Sequence, residues 1–118
     1  MTSPTSAGAI VIVEDSFVGH FLRVVLQRHG HRAITADARE GLDLLRPGQS
    51  QVGLLITNIP ALFVPFGEWV PLLYLAACPD PALVEGFRAS RALRKPFHTD
   101  ELMECVRELL AGDASLAG

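Results

Sequence analysis

Leu54-Leu55-Ile56-Thr57-Asn58-Ile59-Pro60 runs four apolar or β-branched residues into a polar residue and then, after Ile59, a proline. That order predicts a buried central strand ending at a site. A strand apolar on both faces suits a parallel sheet covered by helices on both sides. In open sheets of that kind, function sits just beyond the carboxyl ends of the strands. Asn58 occupies that position, and the rest of the chain decides what an Asn there can do.

The 118 residues are enough for one compact domain with one core. A composition that is 49% hydrophobic and 19% charged is that of a globular domain, not a disordered one. The formal net charge of -3, with no basic run, argues against nucleic acid and anionic membranes as direct partners. No apolar stretch approaches the roughly 20 residues of a membrane helix. Met1 to Gly8 lacks the basic start and apolar core of a signal peptide and is expected to be a loose leader. The expected domain covers residues 9–111, with flexible ends at 1–8 and 112–118. Cys78 and Cys105, without a repeated spacing, point to free thiols in a reducing cytoplasm.

Ala9 to Val13 is a first strand, β-branched at four positions. It runs into Glu14-Asp15-Ser16, and Ser16 is the expected N-cap of the first helix. In that helix Phe17, Phe21, Leu22, Val25 and Leu26 are expected to form one apolar stripe, with His20, Arg23, Gln27 and Arg28 mainly opposite. Gly30 closes it. Arg32 to Ala36 is a second strand. Asp37 and Glu40 form a capping box for a second helix, which carries Leu42, Leu44 and Leu45 and stops at Pro47-Gly48. Val52 to Thr57 is the central strand. Between Asn58 and Pro71, two internal prolines and a glycine predict a loop with one or two helical turns at most. Leu72 to Ala76 is a fourth strand, Ala82 to Phe87 a short helix, and Ala92-Leu93 a brief fifth strand. The last helix starts near His98 or Thr99 and runs to about Leu110, with Leu102, Val106 and Leu109 as its stripe. Strands alternating with helices in this way specify an α/β fold, a doubly wound five-stranded parallel sheet of the flavodoxin-like type.

Three strand ends carry polar groups that converge: Glu14 and Asp15 after the first, Asn58 after the third, and Lys95-Pro96-Phe97 after the fifth. In order and spacing these resemble the CheY-like receiver domain of two-component response regulators, over about residues 9 to 110. Tyr74-Leu75-Ala76-Ala77-Cys78 and the short third and fourth helices look closest to the stand-alone receivers with a Phe-Ala-Thr-Gly-Tyr motif, which accompany HWE-type histidine kinases. The resemblance implies an Asp after the third strand that takes a phosphoryl group from phosphohistidine. It implies an acidic pair that helps to hold Mg²⁺, a Thr or Ser after the fourth strand, an aromatic switch, a lysine that pairs with phosphoryl oxygen, and a cis bond before the following proline.

The chain departs from that pattern where the chemistry happens. Asn58 stands at the phosphoacceptor position, and a carboxamide has no anionic oxygen to attack phosphorus. Ala76 stands at the hydroxyl position and Ala92 at the aromatic switch position. Glu14, Asp15 and Lys95 remain. The expectation is therefore a degenerate receiver with no catalytic residue, no required cofactor and no phosphorylation of the ordinary kind. Asp15 is expected to pair with Lys95 and close the pocket, with weak Mg²⁺ binding by Glu14 and Asp15 as the alternative. Thr57 as a substitute acceptor is disfavoured, because strand alternation turns it away from Asn58. Cys78 at the pocket rim reads as an ordinary small residue, and the four histidines show no metal spacing.

Such a chain is expected to act in signal transduction by binding proteins, with a histidine kinase or phosphotransfer protein as partner. The alternatives are phosphorylation at an unusual residue and small-ligand sensing in the altered pocket. Candidate contact residues are Phe17, His20 and Phe21 on the first helix, together with Phe63, Phe66 and Trp69. The last three are read first as core cover where the third helix would lie, and second as an apolar patch for a partner or a second copy. A homodimer is left open.

Overall fold

The computed structural model describes residues 8–46 and 51–117, with side chains through residue 111. Strands β1 (Ala9–Val13), β2 (Ala33–Thr35), β3 (Val52–Thr57), β4 (Leu72–Ala76) and β5 (Ser90–Arg94) alternate with helices α1 (Ser16–Arg28), α2 (Ala38–Leu45) and α3 (Thr99–Ala117). The strands form one parallel sheet in the order β2-β1-β3-β4-β5. β3 is its middle strand, as its apolar run predicts. The strand order reverses between β1 and β3, so their carboxyl ends open onto a shared crevice.

Alternation along the strands feeds two separate cores. Ile10, Ile12, Leu54, Ile56, Leu73 and Leu75 pack with Leu22 and Leu26 of α1 and Leu102, Val106 and Leu109 of α3. Val11, Val13, Leu55, Leu72 and Tyr74 pack on the other face with Leu45, Phe63, Val70 and Phe87. A sheet covered on both faces needs strands apolar at every position, and β1 is buried throughout.

The helix signals hold, with one exchange. Asp15, not Ser16, is the N-cap of α1, and its Oδ1 accepts from the Val18 amide at 3.0 Å. A carboxylate one residue earlier serves as well as a hydroxyl and adds a favourable interaction with the helix dipole. Gly30 takes a left-handed φ of +87° just past α1, which a glycine adopts without strain. Asp37 and Glu40 form the expected capping box, at 2.8 and 3.0 Å.

Two connections are tighter than α-helices. Pro60–Phe66 is a 3-10 helix, and Pro81–Val84 is a four-residue 3-10 turn in place of the expected helix over Ala82 to Phe87. A 3-10 helix repeats every three residues. Pro60 and Phe63 are buried and Phe66 half-buried on one ridge, while Leu62 and Val64 stand outside. Phe63 presses its ring toward Gly41 of α2, where a Cβ would lie 3.3 Å from the ring and 2.7 Å from Val13. Any larger residue at 41 would push α2 off the sheet. Residue 67 is equally confined, because a Cβ there would run into the carbonyl of Gly86.

The remaining differences concern element ends. β2 and β5 are three and five residues long rather than five and two. α3 continues in helical conformation to Ala117, past Leu110 and through most of the stretch expected to be loose. Of the leader expected over residues 1–8, residues 1–7 lie outside the described residues, as does the helix stop at Pro47-Gly48. Cys78 and Cys105 are both free, the first exposed and the second buried.

Candidate functional site

The carboxyl ends of β1, β3, β4 and β5 bring Glu14, Asn58, Ala76 and Lys95 to one end of the sheet. The anticipated ion pair forms there with a different carboxylate. Lys95 Nζ lies 2.9 Å from Glu14 Oε2, and the Glu14 side chain is wholly buried while Lys95 is about a quarter exposed, at 26%. Glu14 Oε1 accepts from the Asp15 amide at 3.1 Å. Asp15 itself is exposed and committed to capping α1. The expected Asp15–Lys95 pair is therefore replaced by Glu14–Lys95. The extra methylene lets the glutamate reach the lysine, while the shorter aspartate finds amide donors beside it. Lys95 is also held through its backbone, its amide donating to the Ala76 carbonyl at 2.9 Å. The Lys95–Pro96 bond is cis.

Asn58 is exposed and makes no side-chain hydrogen bond among the described residues. Thr57 points the other way, is completely buried, and its hydroxyl accepts from the Ile59 amide at 3.1 Å. That hydroxyl is out of reach of the crevice. Ala76 is half-buried and Ala92 exposed, so neither offers a hydroxyl or a ring where the resemblance would have one.

These donors do not fit the Mg²⁺ site that the resemblance implies. Glu14 Oε1 is taken by the Asp15 amide, Oε2 faces the Lys95 ammonium as its ion-pair partner with no hydrogen bond of its own, one Asp15 oxygen is on a helix amide, and Asn58 carries no charge. Among the described residues no three His, Cys, Asp or Glu side chains come together as a metal site. A cleft of about 310 Å³ lies beside the ion pair, between α1 and the start of α2, with Glu14, Asp15, Asp37 and Glu40 on its wall and neither Asn58 nor Lys95 in it. Its position follows from the two capped helix starts, which the capping signals in the sequence mark.

The candidate contact residues divide. Phe17 is 84% exposed and Phe21 43% exposed, so they leave the buried stripe that Leu22 and Leu26 form. His20 is exposed beside them. Phe21 meets Phe97 with ring centroids 6.5 Å apart. The contact joins α1 to the loop that carries Lys95, and Phe97 was legible only as the last residue of Lys95-Pro96-Phe97. On the opposite layer Phe63 is core, as first read. Phe66 is half-buried, and Trp69 stands out at its edge, 6.1 Å away and half exposed. Ile59, Leu62, Val64 and Leu83 are further exposed apolar side chains that the sequence reading did not single out.

No protein-family model and no curated protein matches the chain. Solved structures do. The chain is similar to chemotaxis protein CheY4 of Vibrio cholerae, with a TM-score of 0.68 and 20% identity over 86% of this chain and 98% of that one. It is similar to the N-terminal domain of a response regulator/sensory box/GGDEF protein of Carboxydothermus hydrogenoformans, with a TM-score of 0.74 and 21% identity over 93% and 99%. It is also similar to the signal receiver domain of an HD domain-containing protein of Pseudomonas fluorescens, with a TM-score of 0.73 and 18% identity over 98% and 96%. The fold is that of CheY-like receiver domains.

Proposed function

We propose that this receiver fold serves signal transduction by binding a protein partner without being phosphorylated, and that it is not an enzyme. The observation that carries the reading is the Glu14–Lys95 pair. The lysine at the position that would meet a phosphoryl oxygen is already neutralised by a buried carboxylate of the same chain, 2.9 Å away. With Asn58 for the acceptor, Ala76 for the hydroxyl and Ala92 for the aromatic switch, no group is left to make, hold or report an acyl phosphate.

A histidine kinase or phosphotransfer protein is the proposed partner, in the cytoplasm. It meets α1 and the loops at the carboxyl ends of the strands, where Phe21 packs on Phe97 and Phe17 stands exposed one turn earlier on α1. A receiver of this kind occupies a kinase without draining its phosphoryl group. Among the described residues no helix is long and apolar enough to cross a membrane, and the net charge of -3 disfavours nucleic acid.

The test is an amide NMR titration, first with Mg²⁺ and then with Mg²⁺ and beryllofluoride, which mimics a phosphoryl group on an Asp. The expected spectrum is unchanged around Glu14, Asp15, Asn58 and Lys95 in both steps. Shifts with Mg²⁺ alone would restore the metal site, and further shifts with beryllofluoride would overturn the phosphate-independent reading.

A further inference from the structure

The cleft between α1 and the start of α2 has no part in the function proposed above. Gly19 lies on its wall, buried, in the interior of a 13-residue helix. Glycine destabilises a helix interior relative to alanine. The packing around it does not require one. The nearest atoms that a Cβ at residue 19 would meet are Thr35 Cγ2 at 3.6 Å and, at 4.0 Å, Ile12 Cγ2 and the Glu14 carbonyl, which is ordinary contact. What the glycine does is leave the wall of a cavity of about 310 Å³ without a side chain at that point.

The same wall carries charge of both signs, set apart. Asp15, Asp37 and Glu40 stand at the two helix starts, and each commits one carboxylate oxygen to a backbone amide and keeps the other. Glu14 beside them is offset by Lys95. Arg23 lies about 12 Å further along the axis of α1 than Asp15. Its Nε is buried and has no hydrogen-bond partner among the described residues, and its Nη2 reaches only His20 Nδ1, at 3.5 Å. A buried donor without an acceptor is costly, so a bound acceptor at this guanidinium is favoured. The cleft is therefore complementary to a cation at one end and an anion at the other. Three carboxylates against one guanidinium favour a ligand of net positive charge.

We propose that this cleft binds a free basic α-amino acid. The side-chain cation lies at the helix starts, among Asp15, Asp37 and Glu40, and the carboxylate lies on Arg23. The α-ammonium adds the second positive charge that the excess of carboxylates favours. A cavity of about 310 Å³ is at the small end of ligand sites, which suits a molecule of this size. A side chain at residue 19 would compete with it for space. The cleft lies beside the crevice of Asn58 and Lys95 and includes neither residue, so the proposal does not rest on the phosphate-independent reading.

The experiment is an amide NMR titration of the full chain with L-arginine, and with agmatine, which lacks the carboxylate. It is run on the wild type and on Gly19→Ala and Arg23→Gln. Arginine is expected to give saturable shifts centred on Gly19, His20, Arg23 and Thr35. Gly19→Ala is expected to melt at a higher temperature than the wild type and to bind arginine about fivefold or more weakly. Arg23→Gln is expected to bind arginine about tenfold or more weakly and to lose its preference over agmatine. No saturable shift up to about 10 mM arginine overturns the proposal. So does a wild type that binds agmatine as well as arginine, or a Gly19→Ala chain that binds arginine like the wild type. A Gly19→Ala chain that melts lower overturns it too, because the glycine is then a packing requirement. Each of these failures leaves the beryllofluoride result as it stands.

Discussion

Glu14 and Lys95 close the carboxyl end of the sheet with a 2.9 Å contact in which the glutamate side chain has no exposure to solvent. A buried carboxylate is tolerated only with its counter-charge in place, so the two residues must be considered together. Replacing Lys95 by Met leaves Glu14 charged, buried and unpaired. The expected loss of stability is about 2 to 3 kcal/mol, below the usual cost for a fully buried pair because Lys95 keeps some solvent contact. Adding Glu14→Gln to Lys95→Met removes the stranded charge and is expected to recover more than half of the loss. Urea unfolding of the three proteins and the wild type measures both effects.

Two aromatic residues, Phe63 within the first 3-10 helix and Trp69 just past its end, differ in what they support. Phe63 is completely buried against Gly41 and Val13, and Phe63→Ala is expected to cost about 3 to 5 kcal/mol. Trp69 is 56% exposed and Trp69→Ala is expected to cost less than about 1 kcal/mol. Thermal melts of the two variants should separate by many degrees, and comparable losses would contradict the core described for this layer.

Burial pushes the Cys105 thiol above its ordinary range, Glu104 and Glu101 push the same way, and Arg91 opposes them. Cys78 is exposed at the end of β4. At pH 8 a thiol reagent such as dithionitrobenzoate is therefore expected to modify one cysteine per native chain promptly, and the second only on unfolding. Mass spectrometry of the singly modified protein should place the label on Cys78.

Burial, with a smaller contribution from His29, lowers the pKa of His31. The folded chain then binds a proton at this site less readily than the unfolded chain does. The stability that His31 contributes is fully present above its unfolded pKa of about 6.5, and it is lost as pH falls through the folded value. His31→Gln is expected to flatten the fall in melting temperature on acidification below about pH 6.5. An unchanged slope would assign the acid sensitivity to other groups.

The fold was legible because each strand of the sheet interior is a short unbroken apolar run, and because Asp37, Glu40 and Gly30 mark helix ends by their own chemistry. Asn58 and Ala76 were equally legible, since each follows or ends such a run and the strand order brings them to one end of the sheet, while Ala92 was placed only by its spacing of three residues before Lys95. The lysine's partner was not. Adjacent Glu14 and Asp15 differ by one methylene, and only the three-dimensional path decides which reaches Lys95. The stripe on α1 failed for a geometric reason. Phe17 precedes Leu22 by five residues, which sets it about 140° around the helix, away from the sheet. Pro60, Phe63 and Phe66 recur every three residues, a 3-10 period, but two prolines in the segment made a loop the simpler reading.

That three-residue period sets how little a connection must do to carry the chain from one strand to the next. Rising about 2 Å per residue, seven residues of 3-10 helix climb about 14 Å, where an α-helix of the same length climbs about 10 Å. The slimmer spiral crosses the sheet with fewer residues, but only one side chain in three can point inward. Leu62 and Val64 fall off the inward ridge of Pro60, Phe63 and Phe66, and both are exposed. The connection from β3 to β4 is constrained by height, not by helix type. Shortening it should be far less tolerated than recolouring its outer face with polar residues.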